Sequence, residues 1–153
     1  MDVRAGGCAA ALFHTVKTGF IETYNDPIVQ WTPESASGHD SWMGLFLWLE
    51  LLYLLPMALY GVYRLGVQRR GTSGADELLF LVYFAELAFT TLVCLFDSFY
   101  WDNSVYTSEL KWSIRQLYAP WIIVPSIGVI DMATRILGRI RVADALLEAR
   151  KSQ

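Results

Sequence analysis

Glu50 is a carboxylate near the middle of an apolar stretch, residues 42–66, that is long enough to cross a membrane. It is the only acid there. An acid in hydrocarbon is costly even when neutral, so it persists where it lines a cavity, binds something or bonds a neighbouring helix. Pro56 follows six residues later, and its missing N–H loosens the backbone and opens space beside the helix. A second acid, Glu86, lies in the next apolar stretch, with Thr90 four residues on and therefore on the same helix face. The Thr90 hydroxyl can meet a ligand or bond back to its own helix. In the third stretch Tyr118 and Trp121 flank Pro120, and Asp131 has Arg135 four residues on for a local ion pair. Glu86 reads equally as a cavity acid or as a helix–helix hydrogen-bond partner.

These groups need spanning helices to position them. Of the 153 residues, 54% are hydrophobic, which is too apolar for an ordinary soluble domain of this length. Segments 42–62, 78–100 and 117–137 can each cross the ~30 Å hydrocarbon core. The fold class expected is therefore an all-α polytopic membrane protein, a bundle of three transmembrane helices in one domain. Cys8 and Cys94 form no disulfide framework, and no spacing calls for a metal or a cofactor.

Charge placement gives the orientation. Arg64, Arg69 and Arg70 follow the first span, and Arg135, Arg139, Arg141, Arg150 and Lys151 follow or close the third. Only Arg4 and Lys17 mark the amino-terminal arm, and only Lys111 and Arg115 the loop between spans two and three. The positive-inside rule then makes residues 138–153 a cytoplasmic tail and residues 1–41 a lumenal arm. The apolar patch in residues 7–13 is too short to span, and the arm is expected to be loose or interfacial. Asn25-Asp26-Pro27 is a turn signal that makes Asp26 an Asx-turn or helix-capping residue.

Several spaced motifs carry a family resemblance. Asp26-Pro27-Ile28-Val29-Gln30, Pro33, Trp42, Glu50-Leu51 and Leu55-Pro56 resemble the EXPERA superfamily. Thr90-Thr91-Leu92, Tyr118-Ala119-Pro120 and Ile123-Val124-Pro125 are similar to its sigma-2 receptor branch. The resemblance covers residues 24–137 and implies the last three helices of a four-helix endoplasmic-reticulum bundle. It also implies a membrane-embedded cavity for sterols or lipophilic amines, with Glu50 as the family's glutamate and Asp26 as a residue that shapes the site. In the family that glutamate bonds an aspartate on the first spanning helix. Nothing upstream of Tyr24 resembles that helix, so the chain reads as a three-span member or a truncated gene product. The ending Arg150-Lys151-Ser152-Gln153 resembles a dilysine-type retrieval signal for the endoplasmic reticulum.

The function expected is a non-enzymatic endoplasmic-reticulum protein that binds a sterol or lipophilic amine and regulates cholesterol homeostasis or trafficking. The ligand set expected is Glu50, Glu86, Thr90, Tyr118 and Trp121, supported by Asp26, Pro56 and Pro120. The partners implied are the ligand, membrane lipids and a sterol-transport membrane protein, with no nucleic acid. Two alternatives stand beside it. One is an emopamil-binding-type sterol double-bond isomerase, which needs a proton donor and an acceptor. Glu50 and Glu86 could play those parts, although both histidines, His14 and His39, lie in the arm. The other is a membrane interaction protein without its own ligand site.

Overall fold

The computed structural model describes residues 3–32, 41–69 and 71–151; Pro33, His39, Arg70 and the ending Ser152-Gln153 lie outside them. The protein is an all-α membrane protein: the described residues form helices and turns, without a strand. Three helical runs among them are long and apolar enough to span a membrane, Trp42–Val67, Gly74–Asp97 and Ser108–Lys151. Large apolar side chains such as Leu52, Val62 and Ile130 are exposed on the isolated chain, as lipid-facing residues should be.

The amino-terminal segment, expected to be a loose or interfacial arm, is helical. It is a 22-residue helix, α1 (Val3–Tyr24), about 33 Å long, though not among the three runs apolar enough to span. No proline interrupts it before Pro27, and its alanines favour the helix. Asn25 ends it in the left-handed conformation with φ 46°, its N–H returning to the Ile21 carbonyl at 2.8 Å. Asp26 then caps the short α2 (Pro27–Gln30) by accepting the Ile28 N–H at 2.8 Å.

Pro56 shapes the first span. The run begins as α3 (Ser41–Leu49), widens into a π-helical turn at Glu50–Leu54 and resumes as α4 (Leu55–Gly61). In an unbroken α-helix the Pro56 ring would clash with the Leu52 carbonyl and leave it without its usual donor. The wider turn relieves this, and the Leu55 N–H reaches the Glu50 carbonyl, five residues back. A second π-helical turn, Val62–Val67, closes the run. Arg69, with φ 50°, then turns the chain.

The second span is α5 (Gly74–Asp97), started by a capping box in which Ser73 and Asp76 bond each other's backbone N–H. The third run differs from the segment expected at 117–137. It consists of α6 (Ser108–Tyr118) and α7 (Pro120–Lys151), with Ala119 still helical between them and Pro120 as the first residue of α7. Gly138 does not stop α7, because good helix formers follow it, and the helix continues through the expected tail to Lys151.

The main helix contact is α5 along α7. Gly128 makes it possible, since a Cβ there would lie 2.6 Å from the Phe84 ring. At one end of the bundle, charged clamps tie the connection between the first two spans to α5 and α7. Arg64 donates to Asp76 at 3.1 and 3.2 Å, and the Tyr60 hydroxyl donates to the same carboxylate. Arg139 donates to Glu77 at 2.6 and 2.9 Å and to the Thr72 carbonyl at 3.0 Å. At the other end the Trp101 indole N–H donates to Asp97 at 2.8 Å, and Lys111 donates to the Trp101 carbonyl and Asn103. In that loop the Ser104 backbone N–H and hydroxyl, with the nearby Lys111 charge, hold the Asp102 carboxyl below the usual carboxylate range.

The Gly128 contact predicts that Gly128→Ala overpacks the α5–α7 seam and costs about 1–3 kcal/mol of stability. Thermal unfolding in detergent should show a lower midpoint, with Gly128→Ala/Phe84→Leu recovering much of the loss. An unchanged midpoint in the single variant would contradict the close approach.

Candidate functional site

Six elements converge on one apolar cavity of about 410 Å³. The first-span helix contributes Met43, Phe46, Leu47 and Glu50, spaced so that they share one helix face. Helix α5 contributes Thr90, Thr91 and Cys94, and the α6–α7 junction contributes Leu117, Tyr118 and Trp121. Phe20 from α1 and Ile28 from α2 complete the wall.

Among the described residues, Glu50 is the only charged one lining this cavity. It opens the π-helical turn, and its backbone carbonyl takes the long bond from the Leu55 N–H. The carboxylate itself accepts no hydrogen bond from any described residue, and part of it is exposed on the isolated chain. The other polar groups on the wall are committed. The Thr90 hydroxyl donates to the Glu86 and Leu87 carbonyls at 2.9 and 3.3 Å, and Thr91 donates to Leu87 at 2.8 Å. The Tyr118 hydroxyl donates to Asp26, which is fully buried and also takes the Ile28 N–H. The site can therefore enclose an apolar body and offer one free carboxylate to a donor or a cation.

Four of the five residues expected to meet a ligand come together here: Glu50, Thr90, Tyr118 and Trp121. Glu86 does not join them. It shares a face with Thr90 but sits one helical turn away, and the cavity ends at Thr90. One Glu86 carboxylate oxygen is buried without a partner among the described residues. Tyr53, whose hydroxyl donates to the Leu79 carbonyl at 3.3 Å, lies within its electrostatic reach. The supporting residues act from behind the wall: Asp26 holds Tyr118, Pro56 sets the turn at Glu50, and Pro120 starts α7 one residue before Trp121.

The sequence reading missed Thr91, Cys94, Leu117 and the Met43–Phe46–Leu47 face. Signals for them were present, because 43, 46 and 47 precede Glu50 at helical spacing and Cys94 follows Thr90 by one turn. For Phe20 and Ile28 there was none, since their place depends on how α1 and α2 fold back onto α6.

A helical membrane bundle whose apolar cavity carries a single unpaired acid defines the class of protein. The family model described as EXPERA (EXPanded EBP superfamily) matches residues 12–132, and the chain belongs to that family. No curated protein and no solved structure matches the chain at a significant level.

The Tyr118–Asp26 bond gives a prediction independent of ligand. Tyr118→Phe strips a donor from a buried carboxylate and should cost about 1–3 kcal/mol. In a thermal-unfolding double-mutant cycle with Asp26→Ala, which also removes the α2 cap, the double variant should lose little more than Asp26→Ala alone. Fully additive losses would show that the bond does not hold the cavity wall.

Proposed function

We propose that this protein is a sigma-2-receptor-like, non-enzymatic member of its family that binds a sterol or a lipophilic amine in the Glu50 cavity. The observation that carries the reading is the unpaired Glu50 carboxylate in an otherwise apolar chamber. A volume of about 410 Å³ falls in the range of small-molecule pockets. A protonated amine would form a charge-assisted bond with Glu50, and a sterol hydroxyl would donate to it. Tyr118 and Trp121 would face the bound ligand, with Thr90 and Thr91 as weaker polar contacts. A cytoplasmic carboxyl terminus accords with the arginine-rich ends of the spans, and residence in the endoplasmic reticulum with the ending Arg150-Lys151-Ser152-Gln153. Regulation of sterol trafficking through a sterol-transport membrane protein is the corresponding physiological role.

The isomerase reading gains little from this geometry. Shifting a double bond needs a proton donor at one carbon and an acceptor at another, and among the described residues Glu50 is the only acid on the wall. The interaction-protein reading has one observation of its own. Glu50 also borders a groove with Leu47, Leu51 and Leu55, where a partner helix could donate to it.

Photolabelling of microsomes with a diazirine sterol and with a diazirine lipophilic amine separates these readings. Both probes should label the wild-type chain, and Glu50→Gln and Glu50→Ala should cut amine labelling roughly tenfold. Labelling unchanged by either substitution would overturn the site. Conversion of a sterol diene by the purified chain, lost in Glu86→Gln, would overturn the non-enzymatic reading.

A further inference from the structure

A second apolar groove, of about 430 Å³, lies where α5 gives way to α6 and α7. Leu95, Phe99, Trp112, Ile122 and Ile123 make its walls, and Phe99, Trp112 and Ile123 are exposed on the isolated chain. Arg115 and Gln116 are its polar members. The Arg115 guanidinium lies 3.9 Å from the Phe99 ring centre. Its Nε donates to the Ser98 hydroxyl at 2.9 Å and its Nη2 to the Ser98 carbonyl at 3.2 Å. Nη1 has no acceptor among the described residues, and none of their carboxylates forms an ion pair with Arg115.

Arg115 is partly buried without an ion pair, whereas Arg69, Arg141 and Arg150, which also lack one, are exposed. Arg64, Arg135 and Arg139 each meet an acid. Lys111, one turn before Arg115, donates to neutral oxygens and has Asp102 within electrostatic reach. Arg115 forms no ion pair with a carboxylate of any described residue. It sits just before the apolar segment that begins at Leu117, beside Trp112, where an aromatic residue marks headgroup depth. From Arg115 to Ile123 the helical path covers about 12 Å, leading from that depth into hydrocarbon.

A sterol or a neutral chain would fill the apolar walls and leave the guanidinium unpaired. A free inorganic anion would pair with Arg115 and leave the walls empty. We infer that this groove binds a membrane phospholipid with a net-negative headgroup, its phosphate on Arg115 and one acyl chain along Leu95, Ile122 and Ile123. The site is separate from the Glu50 cavity, shares none of its lining residues, and does not depend on the function proposed for that cavity.

Native mass spectrometry of the full chain, released from detergent after exposure to equal amounts of dioleoyl phosphatidylglycerol and dioleoyl phosphatidylcholine, tests this. The wild-type chain should retain phosphatidylglycerol over phosphatidylcholine by roughly tenfold. Gln116 is exposed, so Gln116→Glu sets a carboxylate beside Arg115 without disturbing packing, and it should bring the ratio near one. Leu95→Trp should lower retention of both lipids by filling the groove. Equal retention by the wild-type chain, or a ratio unmoved by Gln116→Glu, would overturn the proposal. Displacement of phosphatidylglycerol by an equal concentration of inorganic phosphate would overturn it as well, because the acyl chain would then contribute nothing.

Discussion

A carboxylate inside a membrane needs a donor, and the acids of this bundle show how fully that demand is met. Asp97 takes the Trp101 indole N–H, and Asp131 pairs with Arg135 at 2.9 Å. Asp76 and Glu77, at the start of α5, hold Arg64 and Arg139. Asp26, buried between the amino-terminal helices and α6, takes Tyr118 and the Ile28 N–H. Only Glu50 and Glu86, within segments 42–62, 78–100 and 117–137, lack a donor among the described residues. Glu86 is partly exposed with one carboxylate oxygen buried outside the cavity, whereas Glu50 faces it. Leaving a carboxylate unpaired in hydrocarbon is costly, and a cation or a hydroxyl bound at Glu50 would offset that cost.

Pro56 connects this electrostatic fact to the backbone. Its ring forces the preceding turn into π geometry, and Glu50 is the first residue of that turn. A π turn inserts one extra residue, so it changes which side chains on either side of it share a face. The upstream face, Met43 to Glu50, is aimed at the cavity, while Tyr60 and Arg64 downstream reach the Asp76 clamp. One proline thus lets a single span serve the cavity at one depth and the charged clamp at another. The α5–α7 seam at Gly128 and Phe84 keeps Thr90 and Trp121 on the opposite wall.

Much of this was legible in the residues. The three spans follow from apolar runs, and Glu50 stands out because it is costly where it lies. Tyr118, Trp121 and Thr90 follow from their motifs and spacing. What was not legible depends on contacts between distant parts of the chain. Asp26 and Tyr118 are 92 positions apart, so their bond could not be read from local pattern. Periodicity placed Glu86 and Thr90 on one face but could not show that the cavity ends between them. The arm read as loose because its charges break up its apolar pattern, yet its backbone is helical. Helix α7 outruns its apolar segment because helix propensity, unlike hydropathy, does not stop at the membrane boundary.

The most direct test is a structure of the chain with a lipophilic tertiary amine bound. The account predicts the ammonium nitrogen within about 3 Å of a Glu50 carboxylate oxygen, with the apolar body between Thr90 and Trp121. An amine seated elsewhere, or Glu50 turned away onto a neighbouring helix while the cavity stands empty, would contradict it.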